Sequence, residues 1–272
     1  MAQTHHLTFT DTALTKRYTS WSRGEHDREW MVLCLANAHS PGLVPEPLSA
    51  DLSADPPTIT MSRLPGEPLA DNVTPTQLEA LAEAVQALWT VPFAAEWADD
   101  LPFAHRLTSG PRPPAGIAAE AYDAAQAWWN GPDPDLLRTP PPALVLGHRD
   151  PNLANYLWDG TQIRIVDLED AAPSDPATEL AILAEHMSAR RLDFDRLITH
   201  FPVIDERRFR AARRVFAMLW LRLLLTRHAP KTSAALAAPD APGSSPPTPV
   251  HRPPDPPGIV EEQAARLLSL LA

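Results

Sequence analysis

Polar and apolar residues alternate at the start of the chain, and the spacing turns helical soon after. The alternation in LTFT and ALTKRY predicts strands over 7–10 and 13–18, with Asp11, Thr12 and Ala13 at the turn between them. Trp30, Leu33 and Cys34 recur at helical spacing and predict a helix over 24–38. Pro41, Pro45 and Pro47 punctuate a loop, and strands follow at 48–52 and 58–61. The second of these runs into Ser62-Arg63-Leu64-Pro65-Gly66. Leu78, Leu81, Val85 and Leu88 mark an amphipathic helix over 76–89, entered through Thr74-Pro75. Residues 91–114 are proline-rich and irregular, and a helix follows over 115–129, stopped by Asn130-Gly131-Pro132.

An apolar run over 144–146 reads as a short buried strand. A hairpin comes next, with arms at 156–158 and 162–166 joined at Asp159-Gly160. Asp-Gly suits a type I′ turn, in which both central residues take positive φ. Asp175-Pro176 opens a helix reaching about Arg190. A long helix over 205–227 carries Phe209, Val215, Leu219 and Leu223 on its apolar side, and 261–271 closes the chain as a short helix. Between them, nine prolines in the nineteen residues 239–257 predict a surface linker, since proline removes donors and blocks helix and central strand.

The chain has 272 residues and 44% hydrophobic content, enough for a sizeable core. Lys plus Arg is 23 and Asp plus Glu is 34, a net charge of −11. That balance argues against non-specific nucleic-acid binding, which depends on cationic contacts to phosphates. It is compatible with a cationic small substrate. Cys34 is the only cysteine, so no intrachain disulfide can form. With no signal peptide at the N-terminus, a reducing cytoplasm is the expected compartment. No membrane span is expected: the best apolar run, 215–225, is interrupted by Arg222. One cysteine also excludes a cysteine-rich zinc site, and no P-loop, dinucleotide fingerprint or nucleophile elbow occurs.

The chemistry lies at residues 146–170. His148, Asp150, Asn152 and Asn155 follow the buried strand, and the hairpin ends at Asp167. A hairpin folds its ends together, so Asn155 and Asp167 are expected to be neighbours. An amide and a carboxylate beside a further acid, Asp150, make an oxygen-rich site suited to Mg²⁺ held with substrate phosphates. H-x-D-x-x-x-x-N, then a hairpin, then Asp, is the phosphoryl-transfer pattern of kinase-like folds.

The stretch resembles the aminoglycoside phosphotransferase (small-molecule kinase-like) family, whose loop usually reads HGD where this chain has HRD. The resemblance also covers SDPATELA at 174–181, where the family often reads GDPxxDLA. It implies an α+β, protein-kinase-like two-lobe fold. A truncated N-terminal β-lobe over 1–63 would bind nucleotide, and a mostly helical C-terminal lobe over 64–272 would carry the catalytic loop, metal site and acceptor pocket. By that resemblance Asp150 is the base or positioning carboxylate, and Asn155 and Asp167 are the metal ligands. Lys16 would grip the phosphates of ATP or GTP, held by Glu29, with Glu25 one turn earlier as runner-up. Met61 would back the nucleotide pocket, and Ser62 and Leu64 would offer hinge backbone groups. His148 and Asp175 would brace the loop, Arg149 would pair with a carboxylate, and Glu169 or Asp170 would add charge near the metal or substrate.

Only seven residues separate Asp167 from Asp175, too few for an activation segment, so the acceptor expected is a small-molecule hydroxyl rather than a protein. Family acceptors include aminoglycosides, other antibiotics, choline-like alcohols, sugars and homoserine. Glu185, Asp193 and Asp195 are candidates to bind a cationic acceptor. The chain departs from the family pattern at its start: fifteen residues precede Lys16, and none is glycine, where members carry a glycine-containing phosphate loop. Two expectations follow, a Mg²⁺-dependent small-molecule kinase, or a kinase-fold binding protein without turnover.

Overall fold

The computed structural model describes residues 5–93, 112–201, 204–228 and 256–272. Most of the linker expected over 239–257 and most of the irregular stretch at 91–114 lie outside the described residues.

The chain begins with an antiparallel sheet of β1 (His5–Phe9), β2 (Ala13–Tyr18), β3 (Pro47–Asp51) and β4 (Thr58–Ser62), in the order β1-β2-β4-β3. β1 ends one residue earlier than expected. Thr10 leaves the strand to make the turn, its N–H donating to Ala13 O and its Oγ1 accepting from Ala13 N, both at 2.9 Å. The register pairs Leu7 with Lys16, Phe9 with Leu14, Leu14 with Met61 and Lys16 with Ile59. Cross-strand partners share a face, so these residues line one side of the sheet. Helix α1 (Glu25–His39) packs against β3 and β4.

Two small sheets hold the centre. β6 (Val145–Gly147) pairs with β9 (Ala172–Ser174), while β5 (Glu67–Pro68), β7 (Tyr156–Trp158) and β8 (Ile163–Ile165) form a three-stranded sheet in that order. The β7–β8 loop is not a type I′ turn. It runs over four residues, 159–162, and Asp159 does not take positive φ, although Gly160 does. The Asp159 carboxylate decides this by accepting from Thr161 N and Gln162 N at 2.9 Å and from Thr161 Oγ1 at 2.8 Å. Those bonds hold its pKa well below the ordinary carboxylate range.

The rest is helical. α2 (Pro75–Trp89) starts with a capping box: Thr74 Oγ1 accepts from Gln77 N, and Gln77 Oε1 accepts from Thr74 N. α3 (Ile117–Trp129) and the short α4 (Asp135–Arg138) follow. Beyond the central sheets come α5 (Pro176–Glu185), α6 (Phe194–Ile198), α7 (Glu206–His228) and α8 (Ile259–Leu271). α7 packs on α5 and α8, and α8 packs on α3. The apolar side of α7 differs from the expected one. Leu219 and Leu223 are half-buried, while Phe216, Trp220 and Leu224 join Phe209 and Val215 in the core. Fully buried Leu81, Ile165, Leu168 and Leu180 tie helices to the central sheets, each worth about 1.5–3 kcal/mol of burial.

Glu185 is a buried cross-link rather than a cation site. Its carboxylate accepts from Arg213 Nε at 2.7 Å and from Arg266 Nε and Nη2 at 2.6 and 3.0 Å, joining α5, α7 and α8. Asp193 caps α6 through Arg196 N at 3.1 Å, and Asp195 stays exposed in its first turn. Cys34 is half-buried, and burial pushes its thiol pKa up. Among the described residues no helix is long and apolar enough to cross a membrane.

Candidate active site

The strand β6 delivers Gly147, His148, Arg149 and Asp150 against the first turn of α5. Glu179 Oε2 accepts from His148 N at 2.9 Å. A Cβ on Gly147 would lie 2.3 Å from Glu179 Oε1 and 2.7 Å from Ser174 Cβ, so glycine alone fits there. Burial pushes the Glu179 carboxyl pKa up. Asp175 caps α5, accepting from Ala177 N and Thr178 N at 3.0 and 3.1 Å, and its other oxygen meets Arg208 Nη2 at 3.2 Å. It braces the helix that holds the loop.

His148 is a buried brace. Asp150 N donates to its Nδ1 at 3.3 Å, so the ring proton sits on Nε2, which faces Val166 O at 3.0 Å. Arg149 takes a left-handed backbone (φ 65°). Its guanidinium reaches Pro173 O at 3.4 Å, and its charge offsets part of the rise that burial imposes on the Glu179 pKa. Asp167 has the same unusual backbone (φ 63°). Among the described residues these are the only non-glycine positions with positive φ, and each costs roughly 1–3 kcal/mol. Both flank the carboxylates of the loop.

Asn155 ends a short 3-10 turn, Leu153–Asn155, and its Nδ2 donates to Asp150 O at 3.0 Å. Val166 N donates to Asn155 O at 3.0 Å, which brings Asn155 beside Asp167 as the hairpin predicts. Burial pushes the Asp150 carboxyl pKa up, and the charges of Asp167, Asp170 and Glu169 add to it against His148.

Lys16 meets this loop from the other side. Its Nζ lies 2.7 Å from Glu29 Oε2, 2.6 Å from Asp167 Oδ1 and 2.9 Å from Glu169 Oε2. Burial alone would lower its pKa, but the three carboxylates outweigh burial and raise it. Tyr18 Oη donates to Glu29 Oε2. Glu25, the runner-up, instead accepts from Arg23 N and Nε at 2.9 Å. Arg28 Nη1 donates to Glu169 O at 2.7 Å, and Arg23 Nη1 pairs with Asp170 at 3.2 Å. Glu169 therefore joins the Lys16 cluster, while Asp170 serves to dock α1.

His5 was not singled out by sequence reasoning. Its Nδ1 is 3.6 Å from Glu169 Oε2, and ligand atoms of His5, Asp167 and Glu169 lie within 4.8 Å of one another. The signal was the alternation of β1, which places His5, Leu7 and Phe9 on the face that carries Lys16. Burial would raise the Glu169 pKa, but His5 and Lys16 bring it down to about 2. On the same face Leu7 is 40% and Phe9 57% exposed, a large apolar surface beside buried Met61. At the end of β4, Ser62 N donates to Glu46 O and Ser62 Oγ accepts from Glu46 N, both at 2.8 Å. Leu64 is half-buried just beyond.

A model of the phosphotransferase enzyme family matches residues 10–224, which spans every element of this site except His5. The chain belongs to the phosphotransferase enzyme family.

Solved structures share the fold of this phosphotransferase. A choline/ethanolamine kinase family protein from Mesorhizobium loti is 16% identical, with a TM-score of 0.63 over 100% of this chain and 86% of that one. The choline kinase LicA from Streptococcus pneumoniae is 11% identical, with a TM-score of 0.64 over 100% and 90%. A spectinomycin phosphotransferase, solved with ADP and spectinomycin, is 11% identical, with a TM-score of 0.59 over 86% and 83%. A search of curated proteins finds no sequence match. The phosphotransferase thus has a mixed α and β, kinase-like fold, as its loop pattern predicts.

Proposed function

We propose that the chain moves the γ-phosphate of ATP or GTP to a hydroxyl of a small molecule, with Mg²⁺ bound. The observation that carries this reading is Lys16: one buried ammonium touches the α1 glutamate, Glu29, and the hairpin aspartate, Asp167. A scaffold without turnover has no need to join those groups, because burying charges is costly unless each is paired. In this reading residues 1–63 form the nucleotide lobe and 64–272 the helical lobe.

Each residue then has a role. The apolar surface of Leu7, Phe9 and Leu14 covers the base, Met61 backs it, and the Ser62 carbonyl and Leu64 N–H meet its edge. Lys16 holds phosphate oxygens. Asn155 and Asp167 hold the cation, and their hard oxygen donors, with Glu169 beside them, fit Mg²⁺. The bound ion supplies charge neutralisation at the phosphates. Asp150 takes the proton of the acceptor hydroxyl as its oxygen bonds to phosphorus and the bond to the leaving nucleoside diphosphate breaks. The raised pKa of Asp150 makes it a better proton acceptor.

The acceptor class is a hydroxylated antibiotic, such as an aminoglycoside, or a hydroxylated metabolite. Neither nucleic acid nor membrane enters the reading, and the single cysteine suits the cytoplasm. The test is thermal stability with MgATP, MgGTP and Mg²⁺ alone, beside Asp167→Ala. A nucleotide at a hundred times its dissociation constant adds about 2.7 kcal/mol. A magnesium-dependent rise lost in the variant supports the reading and names the nucleotide. No rise with either nucleotide sinks it in favour of a binding protein without turnover.

A further inference from the structure

Asp150 has a neighbour that the transfer scheme leaves unused. α5 was expected to reach about Arg190 but stops at Glu185, because His186 turns extended (φ −63°, ψ 137°). The turn brings His186 Nε2 to 3.6 Å from Asp150 Oδ1. The residue is 7% exposed, and its ring stands edge-on to Trp220, with centroids 5.0 Å apart at 84°. That separation from Asp150 is longer than a formed hydrogen bond, as is common for catalytic pairs before substrate tightens them.

The far side of the ring fixes its tautomer. Ser188 N donates to His186 Nδ1 at 3.2 Å, and Ser188 Oγ lies 2.7 Å from the same nitrogen. Leu153 N donates to Ser188 Oγ at 2.9 Å. With that oxygen already accepting from Leu153, the hydroxyl proton is available to His186 Nδ1. A nitrogen that accepts carries no proton, so the neutral ring bears it on Nε2, facing Asp150. One chain of polar contacts leaves the catalytic loop at Leu153 and returns to it at Asp150.

We propose that His186 is a positioning residue: its Nε2–H holds the Asp150 carboxylate in the orientation that receives the acceptor's proton, and Ser188 sets the tautomer. The inference rests on the phosphotransferase reading for its kinetic consequence and on geometry alone for the contact. Misplacing a catalytic group by about 1 Å can cost on the order of 100-fold in rate.

The test uses the full chain labelled with ¹⁵N-histidine, with His186 assigned by its loss in His186→Phe. The expected spectrum shows the Nε2–H tautomer, with an Nε2 resonance that moves in Asp150→Asn. In kinetics, His186→Phe keeps a ring against Trp220. It should lower kcat by about 10- to 100-fold while KM for MgATP stays unchanged. Should that variant fail to fold, Ser188→Ala replaces it, with a smaller fall in kcat and a mixed tautomer expected. An Nδ1–H tautomer, a resonance indifferent to Asp150→Asn, or an unchanged kcat in a folded variant would overturn the proposal. The spectra need no turnover, so they decide the contact even where failed nucleotide binding defeats the phosphotransferase reading.

Discussion

Lys16 and Asp167 stand 151 residues apart in sequence, and their charged atoms lie 2.6 Å apart. The contact joins the first sheet to the end of the central hairpin. With Glu29 and Glu169 it gathers three carboxylates around one ammonium, and Lys16 has only 3% of its side chain exposed.

Lys16→Met removes the ammonium around which those carboxylates gather. Uncompensated buried carboxylates follow, and breaking such a set typically costs about 3–5 kcal/mol. Urea unfolding should show that loss, and titration with MgATP should show nucleotide affinity falling with it. A variant as stable as the parent would mean that the cluster is solvated.

The acid side of the stability curve should reflect Glu169. Its folded pKa of about 2 lies below the ordinary 4.5. A depressed carboxylate contributes stability that is present above 4.5 and lost as pH falls toward 2. Glu169→Gln should therefore flatten the fall in melting temperature over that window. An unchanged slope would remove Glu169 from the cluster energetics.

Asp150 titrates in the opposite sense. Its folded pKa is raised above the ordinary 3.8, so it is protonated at higher pH than a free aspartate. As the base, it should give kcat/KM an acid limb above pH 3.8, and Asp150→Asn should abolish turnover while leaving nucleotide-induced stabilisation in place. Turnover retained in the variant would assign the base elsewhere.

Gly147→Ala probes the packing beneath the loop. The added Cβ would meet Glu179 Oε1 at 2.3 Å, forcing the carboxylate off His148 N. Overpacking of this kind costs about 1–3 kcal/mol. The melting temperature should fall, and activity should fall further than stability alone explains because the brace of the catalytic loop moves.

Asp175→Ala should be the more damaging structural change. It removes the cap of α5 and leaves Arg208, 4% exposed in its side chain, without its carboxylate. Loss of one partner of a buried pair costs about 3–5 kcal/mol. Chemical denaturation measures it, and a loss under 1 kcal/mol would mean that Arg208 finds another acceptor.

Local pattern determined most of the elements and the chemistry of the loop. β2 and β7 fall at the expected residues, because alternation and turn residues act over a few positions. The spacing of His148, Asp150, Asn155 and Asp167 is likewise a local property, since strand, turn and hairpin geometry follow from neighbours. Tertiary structure decided the rest. The end of α5 at Glu185 and the four-residue hairpin loop depend on side-chain oxygens and nitrogens that cap backbone groups. The choice of Glu29 over Glu25, the placing of Glu169 in the cluster, the burial of Glu185 and the approach of His5 and His186 join segments far apart in the chain. Periodicity says which face a residue occupies. Only packing says which other face it meets, because such contacts depend on chain closure over long separations rather than on local propensity.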